Sequence, residues 1–290
     1  LAIRKIFVPV LQGYAFSAPL TVALQLSAGF DCYIDAVFIP SVSSPPDAMS
    51  ATLSISDLVA DADITFDDVP GDESADEAQA RASFKEWREG NNLASRIEDK
   101  GADVPWAKWR RSHNTIEAEI IASGRLSDLI ILNRPNPHEA AKQRAFDAAV
   151  FQTGRPTVFV FDNVPDDILR HVMIAWNGSI ESVRAVTASM PLLKRASRVS
   201  IFTAAAHTDT PGGTLDISEL LTCHGIQPHK LHVLSDEPSI GEALIKAAAY
   251  QNATMLVMGA YSHSRVRERL LDGVTLHVVR HGTIPVLMIH

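Results

Sequence analysis

A chain of 290 residues, 46% hydrophobic and 21% charged, is long enough for two domains with proper cores and has the composition of an ordinary globular protein. Its net charge of −8 argues against a polyanion partner, so nucleic-acid binding is not expected. Cys32 and Cys223 form no disulfide framework or zinc motif, and no apolar run reaches the ~18 residues of a membrane span, so a reducing, cytoplasmic setting is expected.

The chain opens on Ile6-Phe-Val-Pro-Val10, read as a first buried strand rather than a secretory signal, since no small-residue cleavage site follows. The initial residue is not Met, which suggests that a few residues precede it. An acidic stretch follows, with Asp57, Asp61, Asp63, Asp67, Asp68, Asp72, Glu73 and Asp76 and no Lys or Arg among them. It reads as a solvated loop leading into a helix over 75–99, or as a partner-binding segment. Leu129-Ile-Ile-Leu132 is a further strand, and Gly154-Arg-Pro156 turns into a last one, Thr157-Val-Phe-Val-Phe161.

Asp162-Asn-Val-Pro-Asp-Asp167 reads as a linker, so the halves are placed at 1–163 and 168–290. The second half repeats the plan of the first. Val172-Met-Ile-Ala-Trp176 answers the opening strand, Met255-Leu-Val-Met258 answers Leu129–Leu132, and Pro285-Val-Leu-Met-Ile289 answers the strand after Pro156. The pattern predicts strands at 171–176, 198–204, 229–234, 254–258 and 285–289, with helices at 180–194, 214–224, 239–250 and 273–281 between them. Short apolar strands alternating with helices imply a parallel, doubly wound α/β sheet.

The chemistry concentrates between the fourth strand and last helix of the second half. Met258-Gly259 ends a strand, a polar loop runs through Ser262, and Gly273-Val274-Thr275 opens a helix. Gly259 lets the chain leave the strand or a ligand approach the backbone. The N–H groups of Gly273, Val274 and Thr275, with the Thr275 hydroxyl, are candidate donors to a phosphate at a helix N-terminus. The alternative is that these glycines serve only turns and caps.

This arrangement resembles the universal stress protein family, whose ATP-binding members carry Gly-x2-Gly-x9-Gly-Ser/Thr at this place. The resemblance covers both halves. It implies two tandem domains, each a five-stranded parallel sheet flanked by helices of the adenine nucleotide alpha hydrolase-like type, paired through their last strands within one chain. It also implies ATP or AMP as ligand, with Mg2+ where ATP binds. Association of two chains is a further expectation. Gly259 matches the first glycine of the pattern, Ser262 stands at the second, Asp272 at the third and Gly273 at the Ser/Thr. A carboxylate ~4 Å from a phosphate charge costs roughly 4 kcal/mol at an effective dielectric near ~20. Arg265 and Arg269 are placed to offset it, or are solvated. At the end of the first strand, where ATP-binding members carry Asp, this half has Asn177. Its amide suits a base edge or a ribose hydroxyl, and Trp176 beside it suits a stacked base or the core. The bland reading makes Asn177-Gly178 a turn and Ser179 a helix cap.

The first half lacks these features. Gln12 follows its first strand, Asn133-Arg134-Pro135-Asn136-Pro137 its fourth, and Ala141–Ala148 contains no glycine. Arg134, Lys142, Arg144 and Arg155 are candidates for another anion or for plain surface charge. His224, His229 and His232 are a weak metal candidate, with no metal site as the reading adopted. No nucleophile elbow, P-loop or dinucleotide glycine pattern is present. The expected function is stress-response regulation by ligand or partner binding. The alternatives are a ligand-free scaffold, a sensor of another small molecule, and a slow ATPase.

Overall fold

The computed structural model describes residues 2–41, 74–95, 105–136, 138–161, 163–204, 216–233, 239–261 and 273–290. In the first half the elements are β1 (Lys5–Leu11), α1 (Ser17–Ser27), β2 (Tyr33–Ile39), α2 (Ala75–Gly90), β3 (Trp106–Arg111), α3 (Ile116–Arg125), β4 (Leu129–Asn133), α4 (Ala140–Gln152) and β5 (Thr157–Val160). The second half contributes β6 (Val172–Ala175), α5 (Ile180–Leu193), β7 (Val199–Ala204), α6 (Ile217–Cys223), β8 (His229–Val233), α7 (Ile240–Tyr250), β9 (Met255–Gly259), α8 (Val274–His281) and β10 (Val286–Ile289).

All ten strands form one sheet in the order β3-β2-β1-β4-β5-β10-β9-β6-β7-β8. Neighbours within each half are parallel, and the halves join where β5 meets β10 antiparallel, Val286 opposite Phe159 and Met288 opposite Thr157. The second half therefore runs 10-9-6-7-8 where the first runs 3-2-1-4-5, the arrangement produced by a twofold axis between the last strands. Pairing through the last strands occurs within the chain, as the resemblance implies.

Strand residues alternate between two apolar layers, as a period of two requires. Val172, Ile174 and Trp176 of the β6 segment, Met255 and Val257 of β9, and Leu287 and Ile289 of β10 enter one layer, under α1, α2, α5 and α6. Met173, Leu256, Met258, Val286 and Met288 enter the other, with α3, α4, α7 and α8. Helices on both faces explain why the strands read as unbroken apolar runs.

One expectation changes. The helix expected over 75–99 ends at Gly90, because the Asn91 side chain donates to the Trp87 carbonyl (2.7 Å) and Asn92 turns left-handed at φ 54°. Residues 57–73 of the acidic stretch, which runs to Glu77, lie outside the described residues, but Glu77 itself is buried and accepts from Arg111 (2.7 Å). The segment between the halves is clamped. The Gln25 amide donates to the Pro165 carbonyl and accepts from the Ile168 N–H, both at 2.9 Å. Among the described residues no helix is long and apolar enough to cross a membrane.

Candidate functional site

From β6 the chain steps outward through β7 and β8, then returns to the other side of β6 for β9 and β10. The strand order thus reverses between β6 and β9, and the crevice beyond their carboxyl ends is where open α/β sheets take ligands. Asn177 follows β6 there, and Ala260 and Tyr261 follow β9.

Trp176 is 5% exposed and belongs to the layer under α1 and α5, its backbone N–H donating to the Phe202 carbonyl (2.9 Å). Its indole packs in that core layer, the arrangement of the packing alternative. Asn177 is exposed. Its Oδ1 accepts from the Ser179 N–H (3.1 Å), Gly178 takes φ 72°, and the Ser179 hydroxyl caps α5 by accepting from the Ser182 N–H (3.2 Å). The turn-and-cap arrangement is formed, yet it uses only the amide oxygen. Among the described residues the Nδ2 donors of Asn177 make no hydrogen bond.

Met258 is buried in the α7–α8 layer. A Cβ on Gly259 would stand 2.6 Å from the Ser182 nitrogen and 2.7 Å from the Glu181 carbonyl carbon. That glycine is demanded by the first turn of α5 lying on the end of β9. The turn out of the strand is made instead by Tyr261, a non-glycine residue at φ 55°. Ala260 donates to the Ile289 carbonyl (2.9 Å), and Tyr261 donates its N–H to the Thr275 hydroxyl (3.1 Å). The Tyr261 ring lies 5.0 Å from that of Phe151 on α4, so the start of this loop rests on the other half.

Thr275 is 3% exposed, and accepting from Tyr261 occupies one side of its hydroxyl. It fastens the end of β9 to the first turn of α8, on one bank of the crevice. Gly273 begins α8 at φ −55°, ψ 158°, with no side-chain cap, as Phe16 and Glu139 begin α1 and α4, while Ser74, Thr115, Ser179, Asp216 and Ser239 cap α2, α3, α5, α6 and α7. Uncapped first-turn N–H groups are donors toward an anion. Ser262, Arg265, Arg269 and Asp272 lie outside the described residues.

The corresponding crevice of the first half, between β1 and β4, is bridged by its own chain. Asn133 Nδ2 donates to the Ala15 carbonyl (2.7 Å), tying the end of β4 to the loop after β1. The Lys142 ammonium sits 4.7 Å from the centre of the Tyr14 ring and pairs with Glu139 (2.9 Å). Gln12 accepts from the Ser41 N–H and hydroxyl (2.9 and 3.0 Å). The other candidate cations are also engaged. Arg134 lies over Phe161 (5.5 Å), Arg144 pairs with Glu117 (3.3 Å), and Arg155 donates to the Arg125 carbonyl (3.1 and 2.9 Å).

A second polar concentration escaped the sequence reading. Arg110 on β3 donates to Asp35 (3.1 Å), Glu119 (2.7 Å) and Ser123, with Asp35 and Glu119 only 2% and 3% exposed. Lys5 pairs with Asp35 at 3.1 Å, and Tyr33 donates to it at 3.0 Å. Burial pushes the Glu119 carboxyl upward, but hydrogen bonds from Ser123, Asn114 and Ser112 and the charge of Arg110 outweigh it and hold it at about 2. Every carboxylate here is internally satisfied, so the cluster braces β2, β3 and α3. Its visible signal was an Asp inside the apolar run Tyr33-Ile-Asp-Ala-Val-Phe-Ile39. No three His, Cys, Asp or Glu side chains group as a metal site among the described residues, and the His232 side chain lies outside them.

Residues 204–290 match the family model described as the Universal stress protein family. Among the crystal structures similar to the whole chain are two described as universal stress proteins. A universal stress protein from Archaeoglobus fulgidus DSM 4304 is 16% identical at a TM-score of 0.61, covering 98% of this chain and 95% of that one. A putative universal stress protein from Pseudomonas aeruginosa UCBPP-PA14 is 12% identical at a TM-score of 0.56, covering 99% and 93%. At these identities the likeness is one of fold. No curated protein matches the chain.

Proposed function

We propose, from a chain whose residues 204–290 carry a universal stress protein domain, that the protein is a cytoplasmic stress-response regulator acting by binding rather than catalysis. Its ligand is an adenine nucleotide, ATP or AMP, held in the crevice between β6 and β9. Asn177 offers amide donors to the base or ribose, and the amides of Gly273, Val274 and Thr275 face the phosphates. The domain division at 1–163 and 168–290 is part of the same reading.

The observation that supports it is the difference between the two crevices. Asn133 crosses the first and ties the end of β4 to the Ala15 carbonyl (2.7 Å), whereas the side chain of Asn177 folds onto its own turn and its Nδ2 makes no hydrogen bond among the described residues. A specific observation favours a scaffold as the second reading. Trp176, named from the sequence as a ligand group, packs in the core layer, and the Thr275 hydroxyl, also named, already accepts from Tyr261.

Equilibrium binding of labelled ATP, with and without Mg2+, separates these readings. Binding without turnover is expected. Turnover that requires Mg2+ points to an ATPase, and no binding at millimolar nucleotide points to the scaffold. Asp272→Gly is expected to tighten ATP binding by removing a like charge of roughly 4 kcal/mol at ~4 Å. Unchanged affinity in a variant that binds ATP removes the repulsion argument.

A further inference from the structure

We propose that His277 and His281 form a two-imidazole binding site for a first-row divalent cation of the zinc, nickel or copper class on the last turn of α8. The residues are four apart on one helix, which puts their side chains on one face. Their ring centroids are 4.6 Å apart and the planes are inclined by 42°. That separation is what chelation needs. A metal–nitrogen bond of about 2.0–2.1 Å puts each ring centroid about 3.2 Å from the ion, and angles of about 90–110° at the metal then separate the centroids by about 4.5–5.2 Å.

Neither imidazole makes a hydrogen bond or ion pair among the described residues, so the nitrogen lone pairs are not committed elsewhere. The chain also makes room for the inner ring. A Cβ on Gly241, in the first turn of α7, would stand 2.8 Å from His277 Cβ and 2.9 Å from its Cγ, so only glycine lets α7 lie against this side chain. His281 is exposed and is the last residue of α8, where the carbonyl end of the helix favours a cation. Arg280 lies on the same turn, and Arg134 approaches its carbonyl (3.5 Å). These charges lower the affinity without occupying the imidazoles. With no third His, Cys, Asp or Glu grouped there among the described residues, the remaining coordination positions fall to water or a second molecule. Imidazole suits zinc, nickel and copper and is a poor ligand for magnesium or calcium.

Calorimetric titration of the full chain with Zn2+, repeated with Ni2+, tests the site without reference to nucleotide. One site is expected in the wild type, and His281→Ala and His277→Ala should each weaken it at least as much as the roughly tenfold cost of losing a mere outer partner. The double variant should lose it, and His224→Ala should keep it. Because His281 is exposed and Ala favours helix, His281→Ala should also melt at the wild-type temperature without metal while losing the rise that Zn2+ gives the wild type. Zinc affinity unchanged in the double variant, or absent from the wild type, overturns the proposal.

Discussion

Replacing Arg110 by alanine is expected to lower stability by about 3 kcal/mol, toward the lower end of the ~3–5 kcal/mol that follows removal of one partner of a buried ion pair. The guanidinium serves two carboxylates, Asp35 and Glu119, that are 2% and 3% exposed. The loss stays near the lower end because neither acid is left alone. Asp35 keeps Lys5 at 3.1 Å and Tyr33, while Glu119 keeps Ser112 (2.7 Å), Asn114 (2.8 Å) and Ser123. The pH dependence distinguishes this from lost packing. Glu119 is held at about 2 against an ordinary 4.5, so its contribution is present above about 4.5 and is lost as pH falls toward about 2. Ser123, Asn114 and Ser112 are the larger causes of that depression and remain, so without Arg110 the folded-state value rises only part of the way and somewhat less remains to be lost. Denaturant midpoints for wild type and variant should therefore converge as pH falls through that window. A constant gap would make Arg110 a packing element, and no gap at neutral pH would contradict the account of the cluster.

The second large effect is expected at Gly259. An alanine Cβ there meets backbone, 2.6 Å from the Ser182 nitrogen, and backbone cannot rotate aside as a side-chain tip does. Either α5 shifts at its first turn or β9 bends, a strain of about 1–3 kcal/mol. The same shift moves Asn177, Gly178 and Ser179, the turn that feeds α5, so ligand binding should fall together with stability. Gly90→Ala is the control. Nothing lies within 4 Å of its Cβ at the end of α2, and alanine there should be neutral or better. Equal stability of Gly259→Ala and Gly90→Ala in thermal unfolding would show that α5 does not press on β9.

The strands and most helices were legible because each carries its own signal: an apolar run bounded by polar turns, or Ser, Thr or Asp before an amphipathic stretch. The second-half elements fall within a few residues of their expected places, and Ser179 caps α5 as read. What was illegible depends on distant partners. Gly259 reads the same whether a ligand or a helix lies against it, and only the folded chain puts Glu181 and Ser182 there. Trp176 shares the parity of Val172 and Ile174, so its layer was readable, but the depth of its burial follows from the helices above it. Asp35 finds Arg110 at a separation of 75 residues, and no local pattern announces that pairing. The left-handed Asn92 was readable in principle, since Gly90-Asn91-Asn92 is a helix stop, and the 75–99 expectation passed over it.

On the proposed reading the β6–β9 crevice takes the ligand, while in the first half Asn133 and Ala15 bridge the β1–β4 crevice. The most direct measurement is a crystal structure of the full chain grown with saturating ATP or AMP. Nucleotide is expected between the ends of β6 and β9, within hydrogen-bonding reach of Asn177 and of the Gly273–Thr275 amides. The β1–β4 crevice should remain bridged by Asn133 and Ala15. Nucleotide in the β1–β4 crevice, or in neither crevice at saturating concentration, would contradict it.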